Sequence, residues 1–187
     1  MRLKPEESKK LATHVTDLLL KDRDVTVKIQ RPQLLDTLYN VLHSHFEEER
    51  MIDVKTDELV KEKGESAGIT DRGKALMMIK RQIAKEKNFI LSGGIEGRFS
   101  QDKINFISHL CADKVFDDDL IDFKDEDEGV RYFKRVYTKY FALENELDEK
   151  VRKKIRGQAN APFEGSRDWD VLFRKYREEE LKRLNHS

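Results

Sequence analysis

Apolar side chains recur along this chain at three- and four-residue steps, over long stretches that contain neither proline nor glycine. That spacing lines them up on one face of an α-helix. Leu11, Val15, Leu18 and Leu19 make the first such stripe, running to about Asp22. Pro5 opens it, and suits a first helical turn because its missing N–H would have no partner there. Residues 25–29 alternate and are β-branched, so they predict a short extended segment. Pro32 starts a second helix, with Leu34, Leu35, Leu38, Val41, Leu42, His45 and Phe46 on its buried side. A shorter helix is expected over 53–63, then a loop over 64–68. Thr70 caps a basic helix carrying Leu76, Met77, Ile79 and Ile83, and 88–97, with Gly93-Gly94, reads as a linker.

The pattern then begins again. Leu11, Asp17, Val25 and Val27 precede Ile107, Asp113, Ile121 and Phe123 by 96 positions. After a one-residue slip, Leu35, Leu38, Val41, Leu42, Phe46, Ile52 and Asp53 precede Val130, Phe133, Val136, Tyr137, Phe141, Leu147 and Asp148 by 95. Thr70 and Leu76 stand 96 before Ser166 and Leu172. Agreement at so many core positions predicts an internal duplication: a first helical repeat over 1–87, a linker over 88–97 and a second repeat over 98–187. The expected fold is all-α, two similar helical units with a minor two-stranded element from 25–29 and 120–123.

The last stretch holds the sole tryptophan. Ser166 caps a helix whose first turn carries Asp168, and Trp169, Leu172, Phe173, Tyr176 and Leu181 form an aromatic-rich stripe. The opening Met-Arg-Leu, the repeat unit and above all Glu164-Gly-Ser-Arg-Asp-Trp-Asp-Val-Leu-Phe-Arg-Lys-Tyr176 followed by Glu-Glu-Glu-Leu-Lys-Arg resemble the bacterial family catalogued as domain of unknown function 507. The resemblance spans the whole chain. It implies a bacterial cytoplasmic protein and carries over no activity, cofactor or catalytic residue.

Composition narrows the function classes. Lys+Arg and Asp+Glu both number 37, so no global field draws in nucleic acid or an anionic membrane, and any such contact needs a local patch. Cys111 is the sole cysteine and cannot form an internal disulfide, which fits a reducing cytoplasm. No apolar run approaches a signal-peptide core or a membrane span.

Candidate chemistry is sparse. Residues 117–128 place acids at calcium-loop positions, but Ile121 and Asp122 stand where a ligand and the obligatory glycine belong, so an acidic connection with Ile121 and Phe123 turned inward is expected. His43 and His45 face different directions on one helix. His45 and Glu49 have ligand spacing, but two groups do not make a metal site. No nucleophile–base arrangement or phosphate loop is marked, so no catalytic residue, metal, cofactor or small-molecule substrate is expected, and the balance leans away from an enzyme. Two readings remain. A protein partner would dock on Arg167, Trp169, Phe173, Arg174 and Tyr176, if the aromatics are exposed and do not merely close the core. Alternatively, RNA or a ribonucleoprotein would meet the basic segments carrying Arg72, Lys74, Lys80, Arg81 and Arg152, Lys153, Lys154, Arg156. The first is favoured.

Overall fold

A computed structural model describes residues 5–67, 72–92, 99–164 and 166–185, with the side chains of 63–67, 72, 73, 126, 184 and 185 left out. The described chain is mostly helical, in the order α1 (Pro5–Lys21), β1 (Thr26–Val27), α2 (Arg31–Ala67), α3 (Arg72–Glu86), α4 (Gln101–Asp117), β2 (Ile121–Asp122), α5 (Glu126–Arg156) and α6 (Arg167–Asn185). The expected two-stranded element is present: β1 and β2 pair antiparallel, Thr26 opposite Asp122 and Val27 opposite Ile121. Asp119, with φ 53°, makes the tight turn between α4 and β2, an αL position that aspartate tolerates.

Two boundaries differ from expectation. The helix from Pro32 does not stop before a second short one; α2 is a single 37-residue helix through 64–67, where a loop was expected. Its buried face continues beyond Phe46 through Glu49, Ile52, Asp53, Thr56 and Val60, still at three- and four-residue steps. Likewise α5 is one 31-residue helix. Gly68, the Thr70 cap and Gly93-Gly94 lie outside the described residues.

The chain divides into two compact units, Met1–Tyr137 and Thr138–Ser187. In the first, α1 packs on α2, and α2 packs on α3 and α4. Leu11, Val15 and Leu19 of α1, Leu34, Leu38 and Leu42 of α2, Ile107, Cys111 and Val115 of α4 and Phe133 of α5 are all fully buried. Tyr137 donates its hydroxyl proton to Cys111 Sγ at 3.0 Å, and burial pushes the Cys111 thiol up to about 12, making it a core residue rather than a nucleophile. Ile121 is buried and the half-buried Phe123 packs at tilted and edge-on angles against Phe116, Tyr132 and Phe133, on the core side as expected. The second unit is the C-terminal part of α5 with α6. Val151, Ile155 and Trp169 form its core, covered by Leu172, Phe173 and Tyr176.

Candidate functional site

The terminal box begins as its sequence suggests: Ser166 Oγ accepts from the Trp169 N–H at 3.2 Å, and Asp168 and Asp170 sit in the first turn of α6. Trp169, however, is only 5% exposed, and so belongs to the core of its unit rather than to an open anchor. Phe173 and Tyr176 are half-buried beside it; Arg152 lies over the Phe173 ring at 5.7 Å and Lys154 over Tyr176 at 4.1 Å. Gln158 Nε2 donates to the Tyr176 hydroxyl at 2.8 Å. The exposed positions of α6 include Arg167, Val171 and Arg174, at one-turn spacing, together with Asp168, Asp170, Lys175 and Glu178. Phe163, just before the cap, is 85% exposed.

Four of the eight candidate basic residues are held by carboxylates. Lys80 pairs with Asp53 at 2.7 Å, Arg152 with Glu149 at 3.0 Å and Glu164 at 3.2 Å, Lys154 with Glu179 at 2.9 Å and Arg156 with Glu164 at 2.6 Å. Lys74, Arg81 and Lys153 are exposed, while the Arg72 side chain is outside the described residues. Lys74, Lys80 and Arg81 lie on α3 in the first unit, and Arg152 to Arg156 on α5 in the second.

The densest polar chemistry lies inside the first unit, around Glu49, which the sequence offers only as half of a two-residue ligand spacing with His45. Lys103 of α4 is fully buried. Its ammonium donates to Glu49 Oε2 at 3.0 Å and to the Ile90 carbonyl at 2.6 Å, and stands over the Phe89 ring at 4.4 Å. Glu49 also accepts from the Ser92 N–H at 2.8 Å and from the Ser92 hydroxyl. Burial alone would raise the Glu49 carboxyl, but the Lys103 charge and the two Ser92 donors hold it below its ordinary value. Burial pushes the Lys103 ammonium down, and Glu49 resists that fall. Both groups being buried and paired, this is a latch: it fastens the segment after α3 onto α2 and α4.

Beside the latch lies a cleft of about 520 Å³. Val41, Ser44, His45 and Glu48 of α2 form one wall, Phe106, Leu110, Asp113, Lys114 and Asp117 of α4 another, and Lys87, Asn88 and Phe89 the end. Asn88 adopts φ 50°, the αL turn that swings Phe89 back onto α2. The His45 ring stacks on Phe89 at 4.7 Å and lies 5.1 Å from Phe106. Burial and then the Lys103 charge lower its pKa from 6.5 to about 4, so it is neutral at pH 7. His43 instead stacks on Tyr39 at 5.2 Å.

A family model covering residues 1–184 matches this chain, and its description is "Protein of unknown function (DUF507)". The chain belongs to the DUF507 family. No curated protein matches it. Membership accounts for the terminal box as part of a whole-chain pattern but assigns it no role, so chemistry must be read from geometry. Among the described residues of this DUF507 chain, no group of three or more His, Cys, Asp or Glu side chains could hold a metal ion. No described helix is long and apolar enough to cross a membrane.

Proposed function

We propose that this DUF507 protein is a non-enzymatic interaction module whose C-terminal helix docks on a protein partner. The observation that carries the reading is the outer face of α6: Arg167, Val171 (51% exposed) and Arg174, with Phe163 standing in water ahead of the helix. Arginine and large aromatic side chains dominate binding hot spots. The inward set, Trp169, Phe173 and Tyr176, supports the same reading in another way. It fixes α6 on α5, so the outer face meets a partner without paying much ordering entropy. RNA is disfavoured because Lys80, Arg152, Lys154 and Arg156 already have carboxylate partners.

The same reading places the protein in the bacterial cytoplasm, with its halves descended from one duplicated helical unit. That descent is supported by Glu49 and Asp53 standing 95 positions before Glu144 and Asp148, each pair facing a cation from the helix that follows.

The test is capture of partners by tagged protein from the source bacterium, with and without nuclease, identified by mass spectrometry. A defined protein set should survive nuclease and be lost from Phe163→Ala/Arg174→Glu, whose circular dichroism should match wild type. Capture that disappears with nuclease, or falls steeply between about 50 and 200 mM salt, would instead make the basic segments the site.

A further inference from the structure

We infer that the 87–92 segment is an acid-released strap: protonation of His45 sets a second cation beside Lys103, against the same Phe89 ring, and the segment lifts away from α2 and α4. The strap belongs to the first unit, so this inference stands apart from the docking role of α6.

Hydrogen bonds hold the strap at Ile90 and Ser92. The Ile90 carbonyl accepts from the Lys103 ammonium at 2.6 Å, and the Ser92 N–H donates to Glu49 at 2.8 Å. Ahead of them, the Phe89 ring stacks on His45 at 4.7 Å and carries the Lys103 ammonium over it at 4.4 Å. Asn88, in its αL conformation, turns the chain from α3 into the strap and supplies the hinge. Among the described elements α3 packs on α2 alone, so the strap is its tie to α4.

The Phe89 ring already carries one cation, and the site is not built to take another. His45 is 6% exposed, and its Nε2 has no hydrogen-bond partner. An imidazolium donates from both nitrogens, so the charged ring would hold a buried N–H with nothing to accept it. Burial disfavours the charge most and Lys103 next, while the attraction of Glu49 is smaller than either. The other charged groups nearby are engaged elsewhere or lie in water. Lys80 of α3 pairs with Asp53 of α2 at 2.7 Å, and Lys87 of the strap faces Glu48 of α2 at 4.0 Å. On α4, Lys114 is held by Asp118 at 2.8 Å, and Asp113 and Asp117 are exposed.

Lifting Phe89 off the imidazole admits water and parts it from Lys103, so the released form takes up the proton more readily. His45 titrates near 4 in place and near its ordinary 6.5 once released. Attachment therefore weakens as pH falls between those values, and the ratio of released to attached strap rises roughly twentyfold from pH 7 to 5. Glu49, held below its ordinary value, keeps its charge through that window.

The test is hydrogen exchange of the full-length ¹⁵N-labelled protein at pH 7 and 5, with and without low urea, each rate divided by the intrinsic rate at that pH. The Ser92 amide reports the strap, and the amides of Leu38 and Ile107 report the core. Ser92 should exchange through an opening that urea leaves unchanged, whereas the core amides should quicken with urea. Its opening constant should rise roughly twentyfold from pH 7 to 5 in the wild type, and by less than about twofold in His45→Phe and in the smaller His45→Leu. An opening that stays constant from pH 7 to 5, a Ser92 amide that exchanges only with the core, or the same rise in both His45 variants would overturn the inference.

Discussion

Glu49 and Asp53 on α2, and Glu144 and Asp148 on α5, are both acid pairs one turn apart, and each is met by a cation from the next helix. In the second unit one residue serves both acids: Arg177 donates from Nε to Asp148 at 3.0 Å and from a terminal nitrogen to Glu144. In the first unit Lys80 reaches Asp53 at 2.7 Å but stays 4.0 Å from Glu49. A guanidinium is a planar fork that can span two carboxylates, whereas an ammonium is a compact point charge. Glu49 is therefore completed from elsewhere, by Lys103 and Ser92. The same acid pair closes one unit with a single side chain. In the other it recruits α4 and the 87–92 segment, and the cleft forms beside that longer route.

The comparison breaks most severely at Lys103. Lys103→Met should cost about 3–5 kcal/mol in urea unfolding, because it leaves the Glu49 carboxylate buried without its counter-charge. Adding Glu49→Gln should recover much of the loss, and failure to recover any would show that Lys103 acts through packing alone. Trp169→Ala comes next, at about 3 kcal/mol, from emptying the Val151–Ile155 pocket. Its damage should appear in α6 and spare the first unit.

Acid sharpens the contrast, since the described histidines all lie in the first unit. The unfolded chain protonates His45 near 6.5, the folded protein only near 4. Between those values the unfolded state binds more protons, so stability falls as pH falls, by about 2 kcal/mol at pH 5. His45→Phe should flatten that slope in thermal melts from pH 7 to 5. Smallest is Arg177→Lys, about 1 kcal/mol, since a lysine there keeps one carboxylate and loses the fork.

Much of the helical pattern was legible because burial follows the three- and four-residue stripe from Leu11 to Leu19 and from Leu34 to Phe46. The unbroken length of α2 was not, for a specific reason. Its inner face continues through Glu49 and Asp53, and buried acids look like an interruption until their cations are placed from Lys80 and Lys103. The Ser166 cap was readable locally. Whether Trp169 faced in or out was not, because the answer depends on Val151 and Ile155, on another helix. The cleft was invisible because its walls come from three separated segments, with Phe106 and Leu110 reading simply as further apolar positions. His45 and Glu49 were noticed only as two would-be ligands, when their partners were Phe89, Lys103 and Ser92.

The most direct test of two separately closed acid pairs is native-state hydrogen exchange, residue by residue, on Lys103→Met and Arg177→Lys beside wild type. The first should speed exchange in α4 and the 87–92 segment while α6 stays protected, and the second should do the reverse. Loss of protection in both units from either change alone would contradict the account.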